Sequence, residues 1–234
     1  QRLGRNHELG ARFLRTRTKI DYDDPFAAPT SLQTADQDLG MAQLYWDARF
    51  VERWKSRITA SEGTDYRTDF LDGGFFSSSN TRNRQLMWNN DVSLAPAHVL
   101  SLAAEWLEQV LDSSFAGRQK RHVDSIRLGY LGRIGAHSLK VNLRNDRYSD
   151  FGDADTYFAG YGFDLTDAWR LTASTSTAFR APTFSDLFGF PPFSFANPAL
   201  RAETSRTYEL GVQWASAGHR VRVVAFHTEY KDEI

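Results

Sequence analysis

The sequence predicts an all-β chain, an antiparallel transmembrane β-barrel segment of about eleven strands, on three observations. Apolar and polar residues alternate with period two along nearly the whole length, so successive side chains fall on opposite faces of a strand. The alternating segments run to about 10 to 13 residues, where soluble strands average roughly 5 to 6 and tilted strands crossing a bilayer need about 9 to 11. Short turns and long polar or aromatic stretches alternate between them, the layout of an outer-membrane barrel with its short turns on the periplasmic rim.

The first strand covers roughly Glu8 to Lys19. In the next, Ala42, Leu44, Trp46, Ala48 and Phe50 oppose Gln43, Tyr45, Asp47 and Arg49. Trp54, Ser56, Ile58 and Ala60 then face away from Lys55, Arg57 and Thr59, and Leu86, Trp88, Asn90, Val92 and Leu94 away from Met87, Asn89, Asp91 and Ser93. Leu100, Leu102, Ala104 and Trp106 continue the pattern, followed by Ile126, Leu128 and Tyr130. Leu139, Val141 and Leu143 oppose Lys140, Asn142 and Arg144; Trp169, Leu171 and Ala173 oppose Arg170, Thr172 and Ser174. The last strands put Tyr208, Leu210, Val212 and Trp214 on one face, then Val221, Val223 and Ala225 opposite Arg220 and Arg222. Trp54, Trp169 and Trp214 stand beside short turns, where an amphipathic ring suits a membrane interface. Arg49, Arg57, Arg144, Arg170, Arg220 and Arg222 then face the lumen.

Short connections are read near residues 51–53, 95–97, 135–137, 166–168 and 216–218, and long ones near 21–38, 64–82, 112–120, 146–155 and 180–202. No stretch holds 18 consecutive apolar residues, which excludes a transmembrane helix and leaves a barrel open. A soluble β-sandwich or lipocalin-like domain also alternates, but loops of about 20 residues on one end alone are uncommon there. A net charge of -1 gives no basic field for nucleic acid, and the absence of Cys removes disulfides and thiolate metal sites. The six histidines are scattered singly, with no nucleophile elbow and no phosphate-binding glycine loop, so an outer-membrane enzyme lacks its constellation. Bacterial single-chain barrels close on an even number of strands, so eleven strands read as a fragment. The closing Lys231-Asp-Glu-Ile234 is taken as coincidence rather than a retrieval signal.

The stretch from Ala178 to Gln213 is the most informative. A strand ends at Phe179-Arg180-Ala181-Pro182, and after a long loop Asn197-Pro198, Leu200 and Glu203 lead into the next. Pro fixes its own φ and restricts the residue before it, so Arg180 and Pro182 serve to stop the strand and shape the loop. Phe184, Phe188, Phe190, Phe193 and Phe195 lie in that loop, where aromatic surface demands other loops or a ligand to pack on. Asp21, Asp23 and Asp24 open the first long loop while Asp36 and Asp38 close it. Carboxylate oxygens suit a hard cation such as calcium, although acidic loop residues also simply solvate a surface, and no spacing here matches an EF-hand.

The order Phe179-Arg-Ala-Pro182, Leu187-Phe188, Asn197-Pro198, Leu200, Glu203, Ser205 and Tyr208-Glu209 resembles the barrel signature of TonB-dependent outer-membrane receptors. Within that superfamily, Asn145 to Gly152, the turn Phe163 to Trp169 and Leu187-Phe-Gly-Phe190 resemble the vitamin B12 (cobalamin) receptor branch. The resemblance implies a chain from the middle of a barrel of roughly 22 strands, with the N-terminal plug, the TonB box and the last strands absent. It implies uptake of a scarce, large ligand, cobalamin first and a siderophore or haem second, powered by the TonB complex through the plug. It implies no required cofactor, calcium as a candidate ion at the Asp21, Asp23, Asp24, Asp36 and Asp38 cluster, and outer-membrane lipid around the wall.

Overall fold

The computed structural model describes residues 4, 6–23, 28, 30–189 and 195–232. Its strands are β1 (His7–Tyr22), β2 (Gln33–Val51), β3 (Trp54–Leu71), β4 (Gly74–Ala95), β5 (His98–Ser113), β6 (Gly117–Ile134), β7 (His137–Tyr148), β8 (Gly152–Asp164), β9 (Trp169–Arg180), β10 (Glu203–Ser216) and β11 (His219–Lys231); the helix α1 (Phe184–Phe188) interrupts the β9–β10 connection. All eleven strands form one antiparallel sheet in chain order.

Register turns the alternation into two continuous surfaces. Trp46, Ile58, Trp88, Ala104 and Ile126 are successive partners from β2 to β6, and Tyr161, Ala173, Leu210 and Ala225 from β8 to β11. This apolar face is uncovered: Leu44 is 59% exposed, Ile126 61% and Leu210 68%. Among the described residues the buried apolar side chains are Ala35, Ala48, Ala103, Val110, Leu111, Val123 and Leu187, too few and too small for the core of a soluble domain of this length. A bilayer removes the cost of that exposed surface, and the stripe from Ala42 to Phe50 runs about 26 Å along β2 at roughly 3.3 Å per residue, close to the apolar height of a barrel. The sequence-level soluble alternative fails on this arrangement.

The five short turns fall at 52–53, 96–97, 135–136, 165–168 and 217–218, where the alternation places them. Ala217 and Gly218 take φ of 48° and 83°, the pair of left-handed residues a type I′ hairpin turn needs.

The opposite rim differs from the sequence reading. The stretches near 64–82, 112–120 and 146–155 are not long loops; strands continue through them to turns at 72–73, 114–116 and 149–151. The long connections are 23–32 and 181–202. β4 reaches 22 residues, so after the roughly ten that cross a bilayer the β3–β4 hairpin stands well clear of the membrane. Polar cross-strand pairs replace apolar packing in this overhang: Gln37 with Asp65 at 2.9 Å, Arg84 with Glu62 at 2.6 Å, Lys120 with Glu108 at 2.6 Å.

Candidate functional site

Side chains on the face opposite the apolar belt line the lumen and are tied by charge. On β7, Arg144 donates from Nε to Asp146 at 2.9 Å and from Nη2 to Ser125 at 3.0 Å, and it lies 3.3 Å from Glu105 on β5. Gln85 of β4 donates to the same Glu105 at 2.6 Å, and Ser125 donates to Asp146. Five polar residues on four strands thus satisfy one another, as the low dielectric around Asp146, 2% exposed, requires. Nearer the short turns, Arg57 grips Asp47 through two bonds of 2.5 and 2.6 Å. Arg170 donates to Asp164 at 2.6 Å. A basin of 860 Å³ opens beside the Arg57–Asp47 pair, lined also by Arg49, Lys55, Arg127 and Asp91 among others.

The wall changes character at the outer rim of β8 and β9. Their ladder stops at Phe158 and Ser176; beyond it the Tyr157 N–H is satisfied by the Thr177 hydroxyl at 3.0 Å instead of by a backbone carbonyl. The strands part, and a cleft of 530 Å³ forms there, with Phe151, Asp153, Phe179, Leu200 and Arg201 on its walls.

Across this gap the first residues of the 181–202 connection turn inward, toward Arg121. Its anchor is Arg121 of β6, 4% exposed. Arg121 Nε donates to Asp150 at 2.7 Å and Nη2 donates to the Pro182 carbonyl at 2.9 Å. The guanidinium also lies over three rings, Tyr148 at 5.7 Å, Phe151 at 5.3 Å and Phe184 at 5.0 Å. One cation therefore joins β6, the β7–β8 turn and the long connection. A planar, delocalised cation with a five-donor fork is the side chain that satisfies a carboxylate, a carbonyl and aromatic faces together.

The described parts of the connection bond to one another. Thr183 caps α1: its hydroxyl accepts from the Asp186 N–H at 3.2 Å, and Asp186 accepts from the Thr183 N–H at 2.8 Å, a reciprocal capping box. Donation by the Thr183 N–H and hydroxyl holds the Asp186 carboxyl below its ordinary range. The Asn197 N–H reaches the Asp186 carbonyl at 3.4 Å, and its side chain accepts from the Ala199 N–H at 3.2 Å.

The signature residues meet here. Phe179 packs edge-on against Tyr148, their centroids 5.7 Å apart. Arg180 and Glu203 are partners at the end of the β9–β10 ladder, 3.8 Å apart. Ala181 and Leu200 are half-buried, Pro182 is fully buried, and Asn197 and Pro198 are exposed. Of the aromatic set, Phe184 and Phe188 face each other at 6.3 Å and are half-buried, and Phe195 is 88% exposed. Phe190 and Phe193 lie outside the described residues.

The acidic cluster is arranged differently from a metal cage. Asp36 and Asp38 lie on β2 and Asp21 near the end of β1, all on the membrane-facing side above the apolar stripe; Asp23 follows β1 and is exposed. Asp38 accepts from Arg15 at 2.6 Å and Arg17 at 2.9 Å, and Asp36 sits 3.9 Å from Lys19. Asp24 is outside the described residues. Among the described residues no three His, Cys, Asp or Glu side chains gather to hold a metal ion, so the described carboxylates do not fit calcium by themselves.

The sequence reading missed Arg121; Tyr148, Asp150 and Phe151 fall within the stretch Asn145 to Gly152 that the resemblance marked, but it gave them no role. Arg121 looks like any polar-face residue between Lys120 and His122, and its partner Pro182 lies 61 positions away.

The family described as TonB dependent receptor-like, beta-barrel, matches residues 2–234. The vitamin B12 transporter BtuB of Photobacterium profundum is 24% identical over 213 residues, covering 87% of this chain and 34% of that protein. BtuB of Vibrio vulnificus is 36% identical over 97 residues, 42% of this chain and 15% of the relative. The chain thus spans about a third or less of the length of these curated relatives. Among solved structures, the siderophore receptor PirA of Pseudomonas aeruginosa superposes with a TM-score of 0.75 at 18% identity, covering 95% of this chain and 46% of that one. The hemophore receptor HasR of Serratia marcescens gives 0.72 at 17% identity, covering 97% and 44%. At such identities the likeness is one of fold.

Proposed function

Because the chain belongs to the TonB dependent receptor-like β-barrel family, whose members are outer-membrane transporters and receptors, we propose that it forms part of the wall of a receptor that captures cobalamin at the outer rim and passes it through the lumen. The observation that carries the reading is the start of the 181–202 connection, where Arg121 on the lumenal face holds the Pro182 carbonyl and the Phe184 ring. A loop held inward at the mouth of a polar channel is placed to meet a ligand before transit. Phe188, half-buried, and Phe195, exposed, offer the apolar contact that a broad corrin edge would use.

The named function of the two curated relatives supports cobalamin as the ligand. Energy coupling through the TonB complex, by way of a plug domain, belongs to the same proposal.

The test uses the full-length protein carrying this sequence. Titration calorimetry is expected to show cyanocobalamin binding that weakens when Phe188 and Phe195 become Ala. Expression in a cobalamin-dependent strain lacking its own receptor is expected to restore growth only when TonB is present. Tight binding of a ferric siderophore or haem with no cobalamin binding would overturn the ligand assignment.

A further inference from the structure

The lower edge of the membrane-facing surface carries a pattern invisible along the chain. Every strand that rises from the short-turn rim begins with histidine or tryptophan: His7 on β1, Trp54 on β3, His98 on β5, His137 on β7, Trp169 on β9 and His219 on β11. Register places all six on the apolar face, His7 opposite Ala48, His137 opposite Phe163, Trp169 opposite Trp214. Four of the six histidines of the chain therefore share one depth.

The rings are built in. His98 Nδ1 is bonded to the Tyr130 hydroxyl at 2.8 Å and His137 Nδ1 to the Tyr161 hydroxyl at 2.5 Å, and both pairs also face ring to ring, at 6.1 and 5.9 Å. His7 stacks on Trp46 at 5.8 Å. With the tyrosines assigned as donors, the His98 and His137 imidazoles keep their proton on Nε2, which has no hydrogen-bond partner among the described residues. The charged side chains of this rim turn the other way: Arg133 and Arg170 both bind Asp164 on the lumenal face. The neighbouring positions on the apolar face, Phe50, Ile134, Phe163 and Leu165, carry no charge. A Phe would give the same ring bulk, so an N–H donor is what histidine adds.

We infer that His7, His98, His137 and His219 form a belt of separate donor sites for the phosphate groups of phospholipids in the periplasmic leaflet. The occupant follows from position, since the belt is continuous with the apolar stripe that lipid chains cover and lies where head groups begin. β5 and β7 stand two strands apart, about 10 Å, so His98 and His137 each meet a different lipid.

The test is native mass spectrometry of the full-length protein released from detergent containing phosphatidylglycerol or a phosphate-free galactolipid. The native sequence is expected to retain about fivefold more phosphatidylglycerol than galactolipid, and H7F/H98F/H137F/H219F is expected to lose that preference while still migrating as a heat-modifiable barrel. Should the fourfold variant fail to insert, H98F/H137F is expected to lose about half of the retained phosphatidylglycerol. An undiminished preference in an inserted variant overturns the inference. The outcome is independent of which solute the receptor carries.

Discussion

Replacing Arg121 by Met should release the 181–202 connection without disturbing the barrel. Two hydrogen bonds from a charged donor disappear, to Asp150 at 2.7 Å and to the Pro182 carbonyl at 2.9 Å, each worth about 1.5–3 kcal/mol. The three ring contacts add about 1 kcal/mol. Methionine recovers part of this by packing its sulfur on the same rings, and Asp150, 26% exposed, regains water. The net loss is about 3 kcal/mol, or roughly a hundredfold in the ratio of pinned to released loop at 1.4 kcal/mol per decade. Hydrogen exchange reads it directly at the Leu187 and Gly189 amides, which bond to the Thr183 and Ser185 carbonyls at 3.1 and 2.9 Å. These amides should exchange about a hundredfold faster in Arg121→Met, with Arg121→Lys intermediate because it keeps charge and loses the fork. Amides within β10 should not change. Loop exchange within threefold of the native protein would refute the anchoring role.

Three more outcomes are expected. The Asp186 carboxyl is held below its ordinary range, so its contribution is full above the unfolded value near about 4 and is lost as pH falls through the lower folded value; exchange of the 183–189 amides should rise only in acid, and Asp186→Asn should remove that dependence. Arg144→Met strands Glu105 and the buried Asp146, at about 2–4 kcal/mol, toward the low end because the Arg144 side chain is 36% exposed; the urea midpoint of the refolded barrel should drop and partly recover when Asp146→Asn is added. Since Asp38 and Asp36 are engaged by Arg15, Arg17 and Lys19, cobalamin affinity should be the same with calcium or chelator; calcium enhancement abolished by Asp23→Ala with Asp36→Ala would contradict this.

Period two made most of this wall legible, because one face must meet lipid and the other must not. It gave the facing pattern of nine of the eleven strands, all but β1 and β8, the five short turns and the β9 stop at Arg180. It failed where both faces meet water. Around Asp65 to Asp69 and Ser77 to Asn80 alternation vanishes although the ladder continues, so strands read as loops. The loop site was half legible: proline and asparagine punctuation marks the ends of 181–202, but nothing local shows that Arg121 holds its first turn at Pro182 and Phe184. The histidines looked scattered for the same reason, since a shared depth exists only once every strand start is known.

The most direct measurement scans β10. The sequence contains no Cys, so single cysteines from Thr207 to Trp214 in the full-length protein can carry a spin label whose accessibility to oxygen and to a water-soluble nickel chelate is compared. Tyr208, Leu210, Val212 and Trp214 should favour oxygen, and Thr207, Glu209, Gly211 and Gln213 the chelate, with period two. Equal access of the chelate to both faces would contradict a wall with lipid on one side and a lumen on the other.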